Sequence, residues 1–252
     1  MNLNKSNILN NFSNLTHAFT TKNGGVSNSP YSSLNLAFHV EDNPLNVTKN
    51  HEKLASELNY DKRTLVHMKQ VHSDMVHVVG DRDNFDNPPT CDALITDKKN
   101  IPIMVMVADC SPILFYDAKK EVIAVAHAGR QGAFKNIIQN VINTFTNIYD
   151  SHTENIFVII GADIGVCCYE VGNEIYEEAK KLNLDYAIEK RDNSFYLDVN
   201  TILITQLLTS AIKEENIEIL DECTCCRSDK YFSYRADETT GRFAGLIMMR
   251  DK

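Results

Sequence analysis

Two histidines and a cysteine stand at the ends of apolar, strand-like runs: His72 in Gln70-Val71-His72, Cys110 closing I-M-V-M-V-A-D-C, and His127 closing V-I-A-V-A-H. Two imidazoles and a thiolate are the donors of an open catalytic zinc site, which keeps three protein ligands and leaves a fourth position to water or substrate; a structural zinc is closed by four. The gaps of 38 and 17 residues between them match no short metal motif, so only the fold can gather them. Cys110 and His127 each follow an apolar run and precede loop-forming residues, Ser111-Pro112 and Ala128-Gly129. Chemistry concentrates at such exits from strand to loop. Taken singly, each residue also has a structural reading: a strand histidine, a small buried hydrophobe, a polar strand terminus. Asp109, beside Cys110, is a carboxylate candidate for proton transfer, although strand alternation would turn it away from its neighbour.

The elements that must position these residues follow from periodicity. Strands are expected at Ile103 to Ala108, Ile113 to Tyr116 and Val122 to Ala126, with Asp117-Ala118-Lys119-Lys120 turning between the last two. A meander of the three would bring Cys110 and His127 to one end of a single sheet. Apolar spacing predicts helices over Val47 to Leu58, Ala133 to Tyr149 and Val199 to Glu214. A further helix is expected after C-C-Y-E-V-G, through about Leu182. The Ala133 helix would begin just past His127 and offer unpaired N–H groups to an anion. Thr64 to Val79 reads as extended, Asn155 to Gly161 and Ala244 to Met249 as strands, Pro30 to Leu36 as loop leading into a short strand, and Gly24-Gly25 as a turn with positive φ. Strands clustered mid-chain with helices interspersed indicate an α+β fold, mixed sheets flanked by helices in an α/β/β/α-like layering. With no Pro/Gly/Ser-rich linker, residues 1–252 are expected to form a single domain.

The net charge of −9, from 34 acidic against 25 basic residues, disfavours a nucleic-acid partner. The start lacks an apolar signal core, and no run approaches the roughly 18 apolar residues of a membrane span, so a cytoplasmic protein with no membrane partner is expected. Seven cysteines then read as reduced thiols. Cys223, Cys225 and Cys226 could bind zinc on their own, but no histidine or second C-x-x-C nearby completes four ligands. Cys167-Cys168, expected to open a helix, reads as packing. Neither N-G-G-V nor G-A-D-I-G completes a P-loop or dinucleotide fingerprint. Tyr231-Phe232-Ser233-Tyr234-Arg235, with Arg242, offers aromatic surface and cations suited to a planar base and an anion, or else an ordinary strand and hairpin.

Together the segments F-T-T-K-N-G-G-V-S, P-Y-S-S-L-N-L, Q-V-H, C-D-A-L-I-T, V-A-D-C-S-P-I, A-H-A-G, C-C-Y-E-V-G and Y-F-S-Y-R-A-D-E-T-T-G-R resemble the YfiH/YlmD-type laccase-domain family, described as polyphenol oxidases and as purine nucleoside phosphorylases. The resemblance covers nearly the whole chain. It implies a zinc ion on His72, Cys110 and His127, with Cys110, His127 and Asp109 in catalytic roles and Lys22, Asn35, Arg130 and Arg235 toward the substrate. The implied partners are purine nucleosides and phosphate, with adenosine, inosine and 5′-methylthioadenosine as substrates and adenosine deamination as a further activity. A monomer and a homodimer are both compatible with this. Three departures stand out: H-A-G-R-Q-G puts Arg130 and Gln131 where the family has Trp and Arg, Lys22 replaces a common Arg, and Ala162-Asp163 replaces Pro-Ser. They point to altered substrate preference with the metal ligands kept. The alternatives are a copper-binding polyphenol oxidase on the same residues, a metal-free hydrolase with Cys110 as nucleophile and His127 as base, and a non-catalytic zinc-binding module.

Overall fold

The strands Ser111–Asp117 and Val122–Ala128 are buried along their whole length, which requires a sheet covered on both faces. In the computed structural model, which describes residues 1–251, they pair antiparallel with Ser111 opposite Ala128 and Asp117 opposite Val122. They are the centre of a six-stranded sheet ordered Ile217–Ile219, Ile156–Ile160, Ser111–Asp117, Val122–Ala128, Ala93–Thr96, Val76–Val78. The two outermost pairs run parallel.

Side chains alternate between the faces of a strand, and here each face has its own core. Ile113, Phe115, Ala124 and Ala126 pack with Ile137, Ile138, Val141 and Phe145 of the helix Ile137–Tyr149 and with Ile202 and Leu203 of the helix Val199–Thr209. Leu114, Tyr116, Ile123 and Val125 face Phe19, Val105 and Phe243 of a second sheet. That sheet has four antiparallel strands, in the order Leu3–Asn4, Leu15–Thr20, Phe243–Met249, Ile103–Val107. Its far face, Ala18, Met104, Met106 and Leu246, is covered by Leu54 and Leu58 of the helix Pro44–Leu58. The layers run helix, sheet, sheet, helix, as the strand pattern predicts for an α+β fold. A small sheet of Ile188–Arg191, Ser194–Leu197 and Glu170–Val171 adds to them.

The structure corrects several local expectations. Ile103–Val107 does not join the meander but belongs to the second sheet, and Ala108 to Cys110 cross from one sheet to the other. An apolar run suits any doubly covered strand, so periodicity could not assign the sheet. The expected Ala133 helix is two: Arg130–Phe134, then Ile137–Tyr149. Asn136 breaks it at φ 59°, its side chain accepting from Gln139 N as the cap of the second helix. Of Thr64 to Val79 only Val76–Val78 is a strand, and no strand follows Pro30 to Leu36. The last long helix stops at Thr209 rather than Glu214. Cys167-Cys168 lie in a turn, and the helix after them starts only at Asn173. In the Gly24-Gly25 turn, Gly24 takes the positive φ, 99°.

The two sheets approach closely at Gly161, where a Cβ would lie 2.5 Å from the Phe19 ring and 2.8 Å from Pro112 Cγ. Phe19 is fully buried and has nowhere to retreat. Gly161→Ala is therefore expected to cost about 1–3 kcal/mol, the usual penalty of overpacking a core. Urea unfolding measures it, and an unchanged midpoint would contradict the packing described.

Candidate metal centre and its pocket

Three chain segments converge where the sheets part. Asp109, at φ 86°, makes the turn by which the chain leaves one sheet for the other, and so leaves Cys110 at the gap. His127, opposite Pro112 in the hairpin register, reaches the same end of the six-stranded sheet. His72 comes from the segment before Val76–Val78, itself at φ 56°. Gln70 fixes that segment by pairing with the edge of Ile103–Val107: its Nε2 donates to Met106 O at 2.8 Å, and its Oε1 accepts from Met106 N at 3.0 Å. The ligand atoms of His72, Cys110 and His127 all lie within 4.8 Å of one another, with Cys110 Sγ 4.0 Å from His72 Nε2.

One buried carboxylate aims two of the three. Asp92, at the head of Ala93–Thr96, accepts from His127 Nδ1 at 2.8 Å and His72 N at 3.1 Å through Oδ1. Its Oδ2 accepts from Ser73 N and Ser73 Oγ at 2.7 Å each and from Val71 N at 3.2 Å. A histidine whose Nδ1–H is held by a carboxylate presents the lone pair of Nε2, the orientation metal-binding histidines need. Burial opposes ionisation of the Cys110 thiol, but the His127 and His72 imidazoles outweigh it and bring it down to about 6. Burial likewise opposes a charged His127, yet Cys110 and Asp92 lift it to about 9. Thiolate, imidazole and carboxylate-backed imidazole fit zinc as a donor set. The position of Gly129 is equally constrained, because a Cβ there would stand 2.5 Å from Cys110 Sγ.

The three side chains line a cavity of about 840 Å³, a size suited to a small organic ligand. Phe38, His67 and Phe85 line it too, as do Tyr169, Tyr234 and the guanidinium-bearing Arg130, Arg235 and Arg242. Arg235 donates to the carbonyls of Cys168 at 3.1 Å and Glu170 at 3.0 Å and lies over the Tyr169 ring. Arg242 donates to the carbonyls of Thr240 and Gly241, each at 3.0 Å. Arg130 is paired with Glu178 at 2.7 Å. Asp109 also lines the cavity, with Oδ1 accepting from Thr224 Oγ1 and Oδ2 from Arg235 N, each at 2.7 Å.

Lys22 and Asn35 are not brought to the cavity wall. The Lys22 ammonium donates to the Ser228 carbonyl. Asn35 is fully buried, bonded to Ala37, Asp42 and the Arg242 backbone. The Tyr231 to Arg235 segment, read as aromatic and cationic surface or else as an ordinary strand and hairpin, carries a short helical turn, Tyr234–Asp237, which places Tyr234 and Arg235 at the pocket. Asp163 is buried, accepting from Ser111 Oγ at 2.5 Å and Asn200 Nδ2 at 3.0 Å. Sequence reasoning gave Asp92 and Gln70 no role. The signal for Asp92 was a charge directly preceding the apolar strand A-L-I-T.

Comparison with known proteins settles the family. The family model described as multi-copper polyphenol oxidoreductase laccase matches residues 16–250. The chain belongs to this laccase-domain family, that of YfiH and YlmD. It is 32% identical over 244 residues to purine nucleoside phosphorylase YlmD of Bacillus subtilis strain 168, covering 92% of this chain and 88% of that one. It is 31% identical over 233 residues to purine nucleoside phosphorylase YfiH of Escherichia coli K12, covering 91% and 92%. The crystal structure of the Bacillus licheniformis hypothetical protein YfiH superposes with a TM-score of 0.90 at 31% identity, covering 96% of this chain and 94% of that one. YlmD from Geobacillus stearothermophilus gives a TM-score of 0.87 at 28% identity, covering 95% and 93%.

Two outcomes follow for this laccase-domain site. Gly129→Ala should displace the Cys110 thiol and weaken metal affinity at the candidate site about 10–100-fold, the range for disturbed supporting contacts. Competition with a chromophoric chelator reads this, and unchanged affinity in a folded variant would contradict it. Burial pushes the Asp163 carboxyl from 3.8 up to about 8, against the opposing hydrogen bonds of Ser111 and Asn200. The folded chain then holds that proton more tightly, so the stability it contributes is full below pH about 4 and is lost as pH rises to about 8. Across that window wild type should lose up to about 1.4 kcal/mol per pH unit relative to Asp163→Asn. Urea midpoints of the two proteins at matched pH test this, and parallel curves would refute it.

Proposed function

We propose that the chain is a zinc-dependent purine nucleoside phosphorylase, taking adenosine, inosine and 5′-methylthioadenosine, with His72, Cys110 and His127 as the metal ligands. The observation that carries this reading is the convergence of three metal donors on a cavity that also holds arginines and aromatic rings. The names of its relatives support the substrate class. When bound, zinc would supply a Lewis-acidic charge at a position left open by three protein ligands.

The chain's own residues would do the rest. Arg235 and Arg242 are hydrogen-bonded to neutral carbonyl oxygens, so those bonds fix the guanidinium planes without cancelling their charge. They are the assigned phosphate holders. Arg130, already paired with Glu178, is assigned to the pocket wall and to substrate preference. Tyr169, Tyr234 and Phe38 offer flat apolar surface for a purine. In phosphorolysis an oxygen of hydrogen phosphate bonds to C1′ of the ribose as the C1′–N9 bond breaks, and the base leaves with the electron pair and takes up the proton that the hydrogen phosphate gives up. Asp109 holds the Arg235 segment in register, the role its two occupied oxygens favour over proton transfer.

A copper oxidase is less supported by the donor pattern, because a multicopper centre needs several histidine-rich sites. Among the described residues only two groups of three or more metal-ligating side chains occur, and just one of them contains histidine.

The test incubates adenosine and inosine with the enzyme, with and without phosphate, and identifies products by mass. Ribose 1-phosphate formed only with phosphate is expected, with activity and pocket zinc lost together in Cys110→Ala. Free ribose at an equal rate without phosphate would replace this reading with hydrolysis, and inosine formed from adenosine would reveal deamination.

A further inference from the structure

Four thiols that the sequence scatters over two segments meet at one point. The Sγ atoms of Cys167, Cys168, Cys223 and Cys226 lie within 4.8 Å of one another, with Cys226 3.5 Å from Cys167 and 3.4 Å from Cys168. The first pair sits in the turn after Ile164, the second in the irregular stretch between Ile217–Ile219 and Tyr234–Asp237. A backbone bridge between Asp163 and Cys223 brings the two segments side by side. None of the four lines the cavity.

We propose that these four cysteines form a second metal site, a closed tetrathiolate site for zinc that staples the two segments together. Two sulfurs sharing one tetrahedral zinc at about 2.3 Å stand about 3.8 Å apart, within the spread seen here. The donor count is four, which closes the coordination shell and marks a structural ion rather than a catalytic one. Disulfides explain the arrangement less well. Cys226 is almost equidistant from Cys167 and Cys168, so bonding to either would strand the other, whereas a metal satisfies all four. The sulfur of Cys223 also accepts a hydrogen bond from Gly165 N at 3.2 Å, the kind of contact that steadies a metal-bound thiolate. Gly165 permits it, since a Cβ there would lie 3.3 Å from both Cys167 Sγ and Cys223 Cβ.

The staple has a clear structural purpose. Cys168 precedes Tyr169, which lines the cavity, and its carbonyl accepts from Arg235. Thr224, inside the second cysteine pair, holds Asp109. Locking the cysteines thus locks the wall that carries Tyr169 and Arg235. Cys225 lies outside the four-membered set.

The test counts zinc in protein expressed in zinc-supplemented medium and purified under reductant. In the triple variant His72→Ala/Cys110→Ala/His127→Ala the pocket ligands are gone, and one zinc per chain is expected to remain. Cobalt in its place should give the intense thiolate-to-metal absorption of an all-sulfur tetrahedral site. Cys223→Ser/Cys226→Ser, made in the same background, should lose that ion, while Cys225→Ser should keep it. For the unmutated protein, alkylation followed by mass mapping should find Cys167, Cys168, Cys223 and Cys226 protected until a chelator is added. A triple variant without zinc, or equal alkylation with and without chelator, would overturn the proposal. Because the pocket ligands are absent from the triple variant, failure of the phosphorylase reading leaves this result untouched.

Discussion

A single buried carboxylate, Asp92, sets the geometry on which the candidate centre depends. A charge removed from water is costly unless hydrogen bonds replace its hydration, and Asp92 meets that condition with five donors: the backbone of Val71, His72 and Ser73, the Ser73 hydroxyl and His127 Nδ1. Those donors come from two segments that share no regular pairing with each other. The same group therefore ties the loop of one ligand to the strand of another. Burial works against ionisation of Asp92, but His127 and Ser73 prevail and hold its carboxyl below the ordinary range. The carboxylate form persists and holds the proton on His127 Nδ1, so that a metal entering the site would displace the proton from Nε2 alone.

The third member of the cluster, Cys110, depends on a different constraint, the separation of two sheets. Cys110 is neither at the end of one strand nor at the start of a hairpin turn; it lies in the short crossover between Ile103–Val107 and Ser111–Asp117. The sheets meet face to face through Phe19, Val105, Leu114 and Val125, and the crossover bridges their edge. Asp109 adopts positive φ to make that passage and is held on both oxygens by Thr224 and Arg235. The residue that looked like a proton carrier from its place beside the thiol thus connects the crossover to the cysteine-rich loop. Loop, crossover and pocket wall are mechanically one unit.

What the sequence revealed was mostly what local chemistry determines. The grouping of His72, Cys110 and His127 was legible because residue type and strand ends are written locally, and the helix-flanked layering was legible because strands cluster mid-chain with helices interspersed. Sheet membership was not, since Ile103–Val107 would look the same in either sheet. Lys22 shows the limit in another way. A cation beside N-G-G-V looks poised for an anion, yet its ammonium reaches a carbonyl 206 residues away in sequence. The cysteine cluster failed for the same reason: each pair looked incomplete because its partners were 55 or more residues distant, and only the fold supplies the other half.

On the proposed phosphorylase reading, the arrangement also accounts for how a chain of net charge −9 could hold a phosphate. Long-range attraction is not available, so positive charge must be concentrated where water is partly excluded and the effective dielectric is lower. Arg242 is partly buried and Arg235 exposed at the cavity rim, and both use carbonyl oxygens as their braces, which orient a guanidinium and leave its charge intact. Arg130 is different, because Glu178 sits 2.7 Å from it. The position at which this chain departs from H-A-G-W-R-G therefore adds a locally neutralised pair rather than a further anion anchor. Its consequence is on the shape and polarity of the pocket wall, next to Gly129, whose missing Cβ leaves room for the Cys110 thiol of the candidate metal centre.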